Sequence, residues 1–107
     1  MTIQLLEHVS DRLRSAELVL NEREFCEQWL AKSECYMRTL RFNGMNPSAE
    51  ALATLGSKLG YYANELARRH DDAASQYWAE VLTELRRQTQ AALELRVKER
   101  WQRVCAR

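Results

Sequence analysis

Three cysteines and two histidines are the side chains in this sequence best suited to ligating a metal or attacking a substrate. Cys26, Cys35 and Cys105 are odd in number and form no C-x-x-C pair. His8 and His70 lie far from any cysteine at zinc-ligand spacing, so no metal site is predicted. The thiols read as reduced residues of a cytoplasmic protein, with Cys26 and Cys35 serving as small core residues. No Ser-His-Asp or Cys-His set stands out, and the carboxylates are scattered between apolar positions. Gly44, Gly56 and Gly60 are not spaced for a phosphate-binding loop. With three glycines and one proline there are few loops to carry catalytic groups. The chain is therefore expected to be non-enzymatic and to need no cofactor.

Charge and large aromatics are the remaining chemistry. The formal net charge is +1, but it is unevenly spread. Residues 1–30 carry three basic and six acidic side chains, net −3. Residues 86–107 carry seven basic (Arg86, Arg87, Arg96, Lys98, Arg100, Arg103, Arg107) and two acidic, net +5. The basic end could meet nucleic acid non-specifically, or an acidic segment of its own chain or a partner.

The elements that must position these groups read as helices. At 107 residues and 46% hydrophobic composition, one domain-sized core is expected, with no transmembrane run and no signal-peptide pattern in MTIQLLEHVSDRLR. Ile3, Leu6, Val9, Leu13, Ala16 and Val19 predict a first amphipathic helix over 2–19. Asn21 is a plausible N-cap for a second helix over 22–31 that buries Phe25, Cys26, Trp29 and Leu30. Ser33 is the N-cap candidate of a third, carrying Tyr36, Met37 and Leu40 and ending near Phe42 at Asn43-Gly44. Pro47-Ser48 opens a fourth, over 49–59, with Gly60 and Asp71-Asp72 as the next soft points. From Ala73 onward there is no Gly or Pro, and Trp78, Leu82, Leu85, Thr89, Leu93, Val97, Trp101 and Val104 form one stripe. Such a helix, roughly 45 Å long, outruns a compact small domain. Its distal half must project, fold back or pair with a second chain. The expected fold is all-α, a small helical bundle over 1–72 followed by a long C-terminal helix over 73–107.

The segment WLAKSECYMRTLRFNGMNPSAEALATLGSKLG resembles a Cro-like (phage-repressor, XRE-type) helix-turn-helix, over about residues 18–62. Ser33 and Pro47 are fourteen residues apart, as in that family's pattern. Leu52, Leu55 and Leu59 fall in its Leu-rich helix, and Gly60 at that helix's usual end. The resemblance implies a recognition helix in the major groove, with Glu34, Cys35, Arg38 and Thr39 facing bases. Arg38 would be the best reader of guanine. Lys32, Arg41, Asn43 and Lys58 would contact phosphates. A homodimer through Trp78, Leu82, Leu85, Leu93, Val97 and Trp101 would present two recognition helices to a palindromic duplex. The function implied is a small cytoplasmic transcriptional regulator of bacterial or phage type. The alternative is a helical protein-interaction module, an adaptor or phage-type inhibitor that keeps the fold without DNA binding. Glu27, Glu34 and the near-zero net charge favour that alternative.

Overall fold

A computed structural model describes residues 2–105. The described residues form helices joined by short turns, with no strand. Arg107 of the predicted basic cluster lies outside them.

Helix α1 (Thr2–Ser15) turns Leu6, Val9 and Leu13 inward, each fully buried. It is four residues shorter than the predicted 2–19. Glu17 takes a left-handed φ of 62°, and the Leu18 amide donates back to the Leu13 carbonyl at 3.0 Å. That bond satisfies a terminal carbonyl and stops the helix. Val19 still reaches the core from the turn, at 2% exposure.

Helix α2 starts as an ordinary turn (Glu22–Glu24) and widens into a π-type turn (Phe25–Trp29). Asn21 caps it, its side chain accepting from the Glu24 amide at 2.9 Å, while the Glu24 carboxylate accepts from the Leu20 amide at 2.9 Å. This reciprocal exchange fixes the helix start. The widened turn places Phe25, Cys26 and Trp29 in the core, with Leu30 beside them. Ala31, at φ 55°, then reverses the chain.

Helix α3 (Tyr36–Asn43) begins later than predicted. Ser33 does not cap it. Cys35 stands at its N-cap position without a side-chain bond to a helix amide, so Ser33, Glu34 and Cys35 belong to the approach turn. The connection from α2 spans residues 30–35, longer than the tight turn expected at Ala31-Lys32-Ser33. Met37 and Leu40 anchor α3, and Gly44 ends it in the left-handed region at φ 61°.

Helix α4 (Ala49–Ala67) is capped by Ser48, whose Oγ accepts from the Ala51 amide at 3.1 Å. The break predicted at Gly60 is absent, and the helix runs through it. A Cβ at Gly60 would stand 2.8 Å from Arg86 Nε, so the missing side chain admits the Arg86 stem. Packing here overrides the roughly 1 kcal/mol penalty of an interior glycine.

Helix α5 (Ala73–Val104) has Asp72 as N-cap, accepting from the Ala74 amide and from Ser75 Oγ. It runs back along α4, the main helix pair of the fold. Gly56 faces Thr89, Gly60 faces Arg86, and Arg96 Nε donates to the Pro47 carbonyl at 3.1 Å. Leu82 and Leu85 share one core with Leu6, Phe25, Leu52, Leu55 and Leu59. A domain boundary at residue 72 therefore falls inside a single core. Thr89, the polar interruption in the stripe, is fully buried and donates to the Leu85 carbonyl at 2.8 Å. The molecule measures 51 × 31 × 19 Å, its long axis matching a 32-residue helix of about 48 Å.

Candidate interaction surfaces

Two surfaces merit comparison: the α2–α3 face expected to read bases, and the end of α5.

On the first, Arg38 and Thr39 are exposed on α3, as is Asn43. Arg38 donates to Cys35 Sγ at 2.7 Å. Glu34 and Cys35 lie before the helix rather than on its first turn, and Glu34 pairs with Arg23 at 3.2 Å. These four residues are near one another in the chain but do not form a helical reading row. Three of the four phosphate candidates hold internal partners. Lys32 pairs with Glu50 at 3.0 Å and stands over the Tyr36 ring. Arg41 bridges Glu7 of α1, at 3.0 Å, and Glu22 of α2. That hydrogen-bonded guanidinium holds the Glu22 carboxyl below the usual carboxylate range, and the carboxylates raise Arg41 in turn. Lys58 donates to the Gln28 carbonyl and lies 4.9 Å from the centre of the Trp29 ring. Each cation here closes a contact between elements: α3 to α1 and α2, the α2–α3 connection to α4, or α4 to α2.

The second surface divides the predicted dimer stripe. Leu82 (0% exposed) and Leu85 (2%) are core residues of the single chain and are not free to meet a second one. Trp78 and Leu93 pack against the same core, and Arg12 lies over the Trp78 ring at 5.1 Å. Trp78 is thus accounted for within one chain. Beyond Arg96 the situation reverses. The Arg96–Pro47 bond marks where α4 has already ended its run alongside, so Val97–Val104 extends about 12 Å past that end of α4. Val97 (40%), Trp101 (40%) and Val104 (64%) are exposed there.

Sequence reasoning singled out Val97 and Trp101 for an interface and counted the arginines beside them only as part of a basic end. Arg96 and Arg103 repeat the position of Thr89 at seven-residue steps, and Arg100 repeats that of Leu93. The face that is buried in the first two-thirds of α5 therefore continues as a row of arginines. Arg100 and Arg103 form no ion pair or side-chain hydrogen bond among the described residues. The i, i+4, i+7 spacing was visible in the sequence. Its meaning depended on where α4 stops. Phe42 (89%) and Met45 (53%) are further exposed apolar residues, Met45 lying two residues from the Pro47 carbonyl that binds Arg96.

An open cleft of 390 Å³ lies elsewhere, between the end of α1, α4 and the start of α5. Tyr61, Tyr62, Leu66 and Trp78 line it, but its carboxylate, Glu65, is paired with Arg68 at 3.0 Å. Among the described residues no group of His, Cys, Asp or Glu is placed to hold a metal ion. Among the described residues no helix is long and apolar enough to cross a membrane.

Among curated proteins and solved structures, none matches this chain. The model of a family of unknown function (DUF6626) matches residues 6–102, nearly the whole sequence and including most of the exposed end of α5; the chain belongs to that family.

Proposed function

We propose that this chain is a helical protein-interaction module, an adaptor whose contact surface is the distal end of α5. One observation carries the reading. The same helix is buried apolar against α4 up to Leu93, then presents Val97, Trp101 and Val104 exposed beside Arg100 and Arg103, which have no ion pair among the described residues. Exposed aromatic and aliphatic side chains flanked by arginine are the composition of protein interfaces. The internal use of Lys32, Arg41 and Lys58 supports it further, because cations committed to fold contacts are poorly placed to neutralise phosphates.

The second reading is a cytoplasmic DNA-binding regulator of helix-turn-helix type, homodimeric on palindromic double-stranded DNA. Its support is Arg38, Thr39 and Asn43, exposed together on α3, and the net +5 over residues 86–107.

Two experiments separate the readings. A photo-crosslinking amino acid at position 101, in cells producing the chain, is expected to capture a protein far more strongly than one at exposed Thr83. Equal yields at both positions would remove the adaptor reading. In parallel, anisotropy titrations with duplex DNA from around the chain's own gene are expected to show weak binding, unchanged by Arg38→Ala. Tight, salt-sensitive binding that loses sequence preference in Arg38→Ala would establish the regulator instead.

A further inference from the structure

We infer that the partner surface received by the end of α5 is an acidic amphipathic helix, lying along the face that α4 leaves uncovered. This rests on the adaptor reading and adds the partner's chemistry. Up to Leu93, α5 offers α4 an apolar track. Past Arg96 the equivalent positions are Arg96, Arg100 and Arg103, with Val97 and Val104 along one edge and Trp101 beyond them. A helix continuing the line of α4 would cover this surface, and it would need aliphatic side chains opposite the valines and carboxylates opposite the arginines. Like charges spaced i, i+4 weaken a helix, and carboxylates opposite them remove that cost. An arginine fork also binds a carboxylate through two parallel hydrogen bonds.

The geometry discriminates against two other occupants. A second copy docked end to end in antiparallel fashion would set one arginine row against the other. Glu7, Glu22, Glu27, Glu50 and Glu84 already pair internally, so a second copy would meet the row with few of its carboxylates clustered and unpaired. A nucleic-acid backbone would satisfy the arginines but leave Val97 and Val104 facing a polar surface, without the apolar burial that makes them useful.

The test uses the full chain and two synthetic helical peptides with the same leucine stripe, one flanked by glutamates and one by lysines, together with a DNA duplex. Anisotropy at low salt is expected to show binding of the glutamate peptide and little of the lysine peptide. The double variant Arg100→Glu/Arg103→Glu is expected to reverse that preference, weakening the glutamate peptide by about tenfold or more. Both positions are exposed, so an unchanged melting curve checks that the variant is folded. Equal binding of both peptides, tighter binding of the duplex, or a preference unaltered in the double variant would overturn the inference. The two proposals fail separately. Crosslinking of a protein at position 101 that survives the double variant leaves the adaptor reading standing and removes the acidic partner.

Discussion

The two ends of α5 are built alike and used differently. From Ser75 to Thr89 its inward positions are buried, its two buried polar side chains, Ser75 and Thr89, are hydrogen-bonded, and α4 and α1 cover it. From Val97 to Val104 the same helix keeps an apolar edge, trades its inward leucines for arginines and is exposed at every residue. One continuous helix thus does both jobs. The first region holds the fold together; the second is rigidly presented by it. A helical turn needs only its own backbone bonds to persist, so the exposed end is extended at little conformational cost once the buried part has nucleated it.

The comparison breaks most visibly under truncation of side chains. Leu82→Ala should destabilise the chain by about 2–5 kcal/mol, since a fully buried leucine leaves a cavity. Trp101→Ala, a larger deletion on the same stripe, should stay within about 0.5 kcal/mol in the isolated chain. Denaturant titration of both variants checks this, and comparable losses would mean that the end of α5 is buried in solution.

A second contrast concerns polar groups. Thr89 Oγ1 has its partner, whereas Ser10 Oγ in α1 is buried without one among the described residues. Ser10→Ala removes a desolvated hydroxyl and improves helix propensity, so a gain of about 1 kcal/mol is expected in thermal melts. Gly56→Ala should add about 0.5–1 kcal/mol, because its Cβ would meet Thr89 Cγ2 at an ordinary 3.7 Å. A loss at Gly56 would show that α4 and α5 pack closer than described.

A third contrast is electrostatic. Glu22 has its folded pKa depressed, chiefly by its hydrogen bond from Arg41. Its stabilising contribution is therefore present above the ordinary glutamate range and is lost as pH falls through the depressed folded value. All three partners are about a third or more exposed, so Arg41→Met should cost only about 1 kcal/mol at neutral pH and flatten the acid side of the stability curve. A variant that keeps the wild-type acid profile would show that this bridge does not tie α3 to α1 and α2.

Much of this fold could be read from patterns. The apolar spacing of Leu6, Val9 and Leu13, the caps at Asn21 and Ser48, and the uninterrupted run after Ala73 are local signals, and the helices they announce are present. What failed depended on contacts. Gly60 looks like a stop but is packed against Arg86, and Ser33 looks like a cap but lies in the turn that follows the left-handed Ala31. The candidate surface was half legible for the same reason. Val97 and Trp101 announce themselves as large apolar residues on a stripe. Leu82 and Leu85 look identical in sequence, and only the point where α4 ends distinguishes core from surface. Arg100 and Arg103 acquire meaning from the lack of a facing carboxylate, which is a three-dimensional fact.

Amide hydrogen exchange along α5, measured at several protein concentrations, tests the central claim most directly. The account predicts slow exchange from Ala79 to Thr89 and exchange faster by orders of magnitude from Val97 to Val104, at every concentration. Uniform protection along the helix, or protection of Val97–Val104 that rises with concentration, would contradict it by showing that the chain itself or a second copy covers the end of α5.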